Sequence, residues 1–223
     1  MKTPSSSIQD YLKAIYELAE ECGPEPVSTS LLADRLGVAR PSVTGMLQKM
    51  ASTKPGMVEY LRYQGVRLTP AGEKVALEVI RHHRLLELYL AQALGVSLDR
   101  VHEEAERLEH VLSEEVEEKI AARLGQPTHD PHGDPIPTRD GSLEQARHPL
   151  LSELAPGQGG VIVRVSDQSA DVLRDLTRQD LLPGTRVRVT EVERDGTVQI
   201  RRRELVETVD PHLARAVYIA PDD

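Results

Sequence analysis

Apolar residues recur at helical spacing near the start of the chain. Ile8, Leu12, Ile15, Tyr16 and Ala19 follow a serine cluster able to cap a helix, and a helical pattern is predicted across 5–54. The segment VEYLRYQGVRL then reads as strand, turn and strand, so a short hairpin is expected over 58–68 with its turn at Gln64-Gly65. Thr69 followed by Pro70 marks an N-cap and a first helical position, and that helix is predicted to run to Leu94, where Gly95 breaks it. Two more helices are expected near 98–111 and 113–124. GQPTHDPHGDPIPTRDG is dense in proline and glycine and reads as a linker or irregular connection. Beyond it the period changes from helical to alternating. GVIVRV, RVRVTEV and TVQIR are strand-like, Asp195-Gly196 signals a hairpin turn, and DVLRDL is a short helix before Leu182-Pro183-Gly184. A small β-barrel is the expected closure of this last part.

Within the first stretch, STSLLADRLGVARPSVTGMLQKM carries the marks of two helices joined by a tight turn. Ala33 allows close approach, Gly37 supplies the turn, and Leu32, Val38, Val43 and Met46 are expected to lock the second helix on the first. Pro41 can open the second helix, leaving Arg40, Ser42, Thr44, Gly45 and Gln48 toward its outer face. The hairpin after it then acts as a wing, flanked by Arg62 and Arg67. The candidate DNA-contacting set is Ala39, Arg40, Pro41, Ser42, Thr44, Gln48 and Lys49, with Arg62 and Gln64 from the wing. An ordinary helical hairpin followed by a solvated β-hairpin is the plainer alternative. Spacing, wing and local charge together favour binding to double-stranded DNA.

Charge sharpens that choice. The net charge of −9 argues against nucleic acid taken alone. Residues 40–67, however, hold five cations against Glu59, a local +4, while 99–118 hold nine acids against Arg100 and Arg107, a local −7. A basic surface can meet phosphate and an acidic one can meet a cation. Aromatics are only 3% of the chain, with no Phe or Trp, so aliphatic side chains must build the cores. The lone Cys22 leaves no intrachain disulfide and fits a reducing compartment. The N-terminus does not read as a signal peptide, and no apolar run approaches the roughly 18 residues of a membrane span. A soluble cytoplasmic protein with no membrane partner is expected.

The acidic stretch VHEEAERLEHVLSEEV also contains a chemical pattern. At about 100° per residue, with His102 at zero, Glu106 falls at about +40°, Glu109 at about −20° and His110 at about +80°. Val101, Ala105, Leu108 and Leu112 lie directly beside this arc, so the acids sit on the shoulder of a buried face. Unpaired carboxylates there would be costly, and a divalent cation would offset that cost. His83 and Glu87, at i,i+4, form a second two-ligand face on the preceding helix. An E/H-rich helix is more often a solvated face, and Asp10 has no local signal of its own. His129, His132 and Asp134 in PHGDPIP read better as a rigid turn than as a third metal site.

The winged helix, the long helix carrying HHRLLE, then VHEEAERLEHVLSEEVEEKI and PHGDPIP together resemble the diphtheria-toxin-repressor family of metal-dependent regulators. The likeness covers about residues 5–140, and the C-terminal part is similar to the SH3-like domain of longer members. It implies a homodimer that binds a palindromic operator when loaded with metal and represses metal-homeostasis genes. It implies one cation on Asp10, Glu106, Glu109 and His110, and a second on His83, Glu87 and His102, with Asp167 a loose candidate contributor. Iron-type members carry Met and Cys where this chain has Asp10 and Glu106; manganese-type members carry Asp and Glu. Lys13 departs from the manganese type, which has a further Glu ligand there, and the short manganese regulators lack the C-terminal domain, so the chain looks like a hybrid. Three carboxylates and one imidazole, without sulfur, independently suit Mn²⁺, with Fe²⁺ as the alternative ion.

The fold class expected is mainly α with a small β domain. A winged helix-turn-helix spans 1–72, a helical dimerisation and metal-binding domain 73–148, and an SH3-like barrel 149–223. No nucleophile or general-base motif accompanies the Glu/His face, so a metallohydrolase is disfavoured and no catalytic residue is assigned. A winged-helix regulator that senses a small molecule without metal is the more credible rival. Metal-dependent operator binding separates the two.

Overall fold

A computed structural model describes residues 4–143, 146–166 and 169–222. The chain divides into two compact units: Met1–His82 with Glu109–Val111 and Pro137–Ser142, and His83–Leu108 with Leu112–Ile136 and Leu143–Asp223.

The first unit opens with α1 (Ser6–Cys22), α2 (Thr29–Leu36) and α3 (Arg40–Ala51), followed by strands β1 (Val58–Leu61) and β2 (Gly65–Leu68). Ser5 stands at the N-cap of α1 without a side-chain cap bond, whereas the Ser28 hydroxyl caps α2 by accepting the Leu31 N–H at 3.2 Å. Ile8, Tyr11, Leu12, Ile15 and Leu18 form the buried stripe of α1 and share one core with Leu32, Val43, Leu47 and Met50. Gly37 ends α2 at φ +62°, and the Val38 N–H returns to the Ala33 carbonyl at 3.0 Å, so the turn falls where the sequence places it. The lock differs in its parts. Val38 is exposed and Met46 only half-buried; Leu47 and Met50 join Val43 on the inner face, because the helix begins at Arg40 and this sets which residues face α1.

β1 and β2 pair antiparallel from Val58↔Leu68 to Leu61↔Gly65. The turn is therefore Arg62-Tyr63-Gln64, with Tyr63 at φ +67°, rather than Gln64-Gly65. Gly65 is needed as the first residue of β2 because a Cβ there would meet the Val27 carbonyl at 2.4 Å. Helix α4 (Pro70–Leu94) starts as expected: the Thr69 hydroxyl accepts the Gly72 N–H at 3.2 Å and donates to the Gly56 carbonyl at 2.7 Å. It runs across the division between the two units, giving Ala76 to the first core and Leu85, Leu86, Leu88 and Leu90 to the second.

In the second unit, α5 (Leu98–Leu108) and α6 (Glu114–Arg123) pack Val101, Ala105, Ile120 and Ala121 against those leucines. α5 stops at Leu108, three residues short of expectation, and 109–111 form a turn before Ser113 caps α6. The Pro/Gly-rich segment is a built turn in its middle. Asp130 Oδ1 accepts the N–H groups of His132 and Asp134 at 2.8 and 2.9 Å, and a Cβ on Gly133 would lie 2.0 Å from the Val163 carbonyl.

The C-terminal part holds β3 (Gly159–Val165), α7 (Ala170–Arg178), β4 (Arg186–Val192), β5 (Val198–Arg202), β6 (Leu205–Val209), the one-turn α8 (Pro211–Ala214) and β7 (Val217–Pro221). The expected barrel is corrected: among the described residues the strands form one antiparallel sheet in the order β6-β5-β4-β3-β7, which is not closed. β6 and β7 are consecutive in the chain yet stand at opposite edges, so α8 carries the chain across instead of a hydrogen-bonded seam. Register shifts between Ile162 and Arg164 and between Val189 and Glu191 bend the sheet around Ile162, Val189, Ile200, Leu173 and Leu176. Among the described residues no helix is long and apolar enough to cross a membrane.

Candidate metal centres and DNA-reading surface

The early stop of α5 divides the expected four-residue arc into two groups. Beyond Leu108 the backbone no longer follows the wheel, so Glu109 and His110 leave the face that His102 and Glu106 keep. His82 Nδ1 lies 3.1 Å from the Glu109 carbonyl oxygen; since a carbonyl only accepts, this nitrogen donates and caps the turn.

In the first unit, Asp10, Glu109 and His110 offer ligand atoms that all lie within 4.8 Å of one another. Asp10 Oδ1 is 2.7 Å from His110 Nε2, and Glu109 Oε1 is 3.6 Å from the same nitrogen. Gln9 Oε1 sits 2.7 Å from His110 Nδ1. Both partners are acceptors, so both ring nitrogens donate here; with an ion bound, Nδ1–H can keep its bond to the Gln9 amide oxygen while Nε2 gives its lone pair to the ion. Lys13 closes the group: its Nζ is 2.8 Å from Glu109 Oε2 and 3.2 Å from Oε1. Glu109 has a fully buried side chain, and α1 carries Gln9, Asp10 and Lys13 to it from one helical face.

The second unit gathers His83, His102 and Glu106, again within 4.8 Å. Glu87 Oε1 is 3.0 Å from His83 Nε2 and 3.2 Å from His102 Nδ1, while those two nitrogens are 3.1 Å apart. Octahedral bonds of about 2.1 Å put adjacent ligand atoms about 3.0 Å apart, so this triangle has the edge lengths an ion needs. Glu106 Oε1 stands 3.9 Å from His83 Nδ1 and 3.8 Å from His102 Nε2. These are the ring nitrogens that do not face Glu87, so Glu106 stands outside the triangle.

Glu87 has a second role that sequence reasoning missed. Its Oε2 faces His132 Nδ1 at 3.7 Å, and Glu87, Asp130 and His132 form a third, wholly buried group of ligand atoms within 4.8 Å. The residues read as a rigid turn do make one, and they also bring an acid and an imidazole to Glu87. Burial pushes the Glu87 carboxyl up, but His83, His102 and His132 outweigh it and hold the group well below the usual carboxylate range. Burial, with the charges of Glu87 and Asp134, raises Asp130 well above that range. His129 is exposed against Thr128, and Asp134 pairs with Arg164 at 3.2 Å. Asp167 lies outside the described residues.

Most of the DNA-reading candidates are exposed. Ala39, Arg40, Pro41, Ser42, Gln48 and Lys49 are exposed along α3, and Thr44 is half-buried with its hydroxyl 3.3 Å from the Arg40 carbonyl. Pro41 is the second helical residue, after Arg40, and Ala39 is the N-cap. Arg62 and Gln64 are exposed at the wing turn. Tyr63 between them is 90% exposed, and the Arg62 guanidinium lies 4.9 Å from the centre of its ring. Arg67 instead donates to the Pro24 carbonyl at 3.0 Å.

Three family models tile the chain in the order of these parts: "Iron dependent repressor, N-terminal DNA binding domain" over residues 4–66, "Iron dependent repressor, metal binding and dimerisation domain" over 69–138, and a FeoA domain over 150–221. The diphtheria toxin repressor of Corynebacterium efficiens is 32% identical over 100% of this chain and 99% of its own length. The chain belongs to the diphtheria-toxin-repressor family. The iron-dependent repressor IdeR of Mycobacterium leprae is a further member, 34% identical over 94% of each chain. Among solved structures, a manganese-dependent transcriptional repressor in complex with manganese matches with a TM-score of 0.88 and 34% identity, over 96% of this chain and 99% of that one. The proteins this chain is similar to thus include an iron-dependent and a manganese-dependent repressor. The ligand groups built here, of carboxylate oxygens and imidazole nitrogens, suit a divalent metal.

Proposed function

We propose that this protein is a cytoplasmic, manganese-responsive transcriptional repressor that binds palindromic operator DNA as a metal-loaded homodimer and controls metal-homeostasis genes. The observation that carries the proposal is the meeting of Asp10 with Glu109 and His110. Asp10 belongs to α1, which shares its core with the reading helix α3, whereas its partners come from the turn after α5. An ion held there ties the DNA-reading fold to a segment a hundred residues away in the chain. Metal and DNA affinities are then coupled reciprocally, commonly by about 1–3 kcal/mol.

We assign one ion to Asp10, Glu109 and His110 and a second to His83, Glu87 and His102. Glu106 is kept as a metal ligand on the resemblance, which gives it to the first ion; its neighbours at 3.9 and 3.8 Å, His83 Nδ1 and His102 Nε2, are the ring nitrogens that do not face Glu87. Oxygen-rich ligands without a thiolate or thioether favour Mn²⁺, and Fe²⁺ is the alternative that the named iron-dependent relatives support. We assign DNA contacts to Ala39, Arg40, Pro41, Ser42, Thr44, Gln48 and Lys49 of the reading helix and to Arg62 and Gln64 of the wing. The functional segments are 1–72 for DNA, 73–148 for dimerisation and metal, and 149–223 for the SH3-like part.

Duplexes selected from a random pool with Mn²⁺ present supply the operator for a test. Chelated protein should not retain them, and added Mn²⁺ should restore binding. Fe²⁺ added without oxygen measures the alternative. Equal retention by chelated and loaded protein would favour the metal-independent regulator instead.

A further inference from the structure

Lys13 stands among the ligands of the first group, and its position has a consequence for metal binding. It follows Asp10 by one helical turn on α1, so both side chains project from the same face. The Lys13 side chain is only 8% exposed and that of Glu109 is fully buried. The ammonium reaches both carboxylate oxygens of Glu109, at 2.8 and 3.2 Å. One of these, Oε1, is also the Glu109 oxygen nearest His110 Nε2, at 3.6 Å. The oxygen best placed to bind an ion with His110 and Asp10 is therefore shared with a cation already in the chain.

We propose that Lys13 is a tethered competitor for the ion, which sets the free-metal concentration at which the Asp10–Glu109–His110 site fills. This rests on the assignment of these three residues as metal ligands. In the metal-free protein the ammonium offsets the charge of the buried Glu109 carboxylate. An entering divalent ion must share Glu109 with that ammonium or move it away from Oε1. The repulsion between the two cations weakens binding in either case. A charge at about 4–6 Å shifts an ionic equilibrium by about one to three powers of ten, which is the size of effect available to Lys13. The same contact gives the empty protein a stabilising pair, so low affinity and a folded metal-free state come from one residue.

The test measures Mn²⁺ binding directly, by the electron paramagnetic resonance signal of the free ion, on full-length protein stripped with chelator. His110→Ala first identifies the binding that belongs to this site. Lys13→Gln should then lower the Kd of that His110-dependent ion by about tenfold or more. The same variant should melt at lower temperature than the native protein without metal, and should gain more on adding Mn²⁺. Lys13→Arg, which keeps the charge, should retain weak binding, and Lys13→Met replaces the glutamine variant if that one does not fold. An unchanged or higher Kd in a folded neutral variant would overturn the proposal, leaving Lys13 as a support for Glu109 alone. No loss of Mn²⁺ in His110→Ala would instead overturn the ligand assignment, and the proposal with it.

Discussion

Gly37 and Gly133 are both held at positive φ, +62° and +93°, yet they answer to different constraints. A Cβ on Gly37 meets nothing within 4 Å, so only the backbone conformation demands glycine there. Gly37→Ala should lower stability by about 1 kcal/mol, read from the denaturant midpoint at unchanged slope. At Gly133 the added carbon would sit 2.0 Å from the Val163 carbonyl as well. Gly133→Ala should cost about 3 kcal/mol or more and disturb the turn that carries Asp130 and His132. A side chain can also act through its neighbour: Gln9 is almost fully buried, and its amide oxygen accepts from His110 Nδ1. Gln9→Ala should weaken the His110-dependent Mn²⁺ by about tenfold or more, as loss of such outer partners does. Calorimetric titration of the variant checks this, and an unchanged affinity would remove Gln9 from the site.

At the scale of elements, α3 and the wing present different chemistry to a duplex. Val43, Leu47 and Met50 hold α3 by its inner face, which leaves Ser42 and Gln48 outside with the side-chain types that read base edges. Arg62 lies on a hairpin turn with its guanidinium over the Tyr63 ring, a position suited to phosphate. Arg62→Ala should weaken binding to all duplexes alike and reduce the slope of log K against log salt by about one. Gln48→Ala should change preference among sequences with the slope nearly unaltered. Measuring both slopes on selected and random duplexes distinguishes the two roles, and an unaltered slope for Arg62→Ala would exclude a phosphate contact. The elements also show where periodicity misleads. A wheel drawn through 102–110 assumes a helix to its end, but α5 stops at Leu108, and the acids divide between two groups.

For the whole molecule, the described residues build three cores from mainly aliphatic side chains: one around α1–α3, one on α4–α6 and one under the C-terminal sheet. Chelation should therefore leave the helical circular dichroism and cooperative unfolding in place while operator affinity falls. Added Mn²⁺ should raise the melting temperature in proportion to its occupancy. Collapse of the helical signal on chelation would show that the ions are structural.

The sequence by itself determined the order of most elements and many of their ends. Helical spacing, the Thr69-Pro70 start, Gly37 and the Asp195-Gly196 turn are local signals, because each records what a few consecutive residues can do. His83, Glu87 and His102 were legible for the same reason, as pairs on helical faces. Asp10 was known only through resemblance, and Gln9, His82 and Lys13 had no readable signal, since their partners lie far along the chain. β6 and β7 were missed: β6 has mostly exposed residues at a sheet edge, and β7 is a short final strand. Tertiary structure alone decided that the sheet stays open, that Leu108 ends α5, and that Asp130 and His132 face Glu87. Spacing specifies what one element can offer, but which charges are buried together depends on where the chain returns, and only packing fixes that.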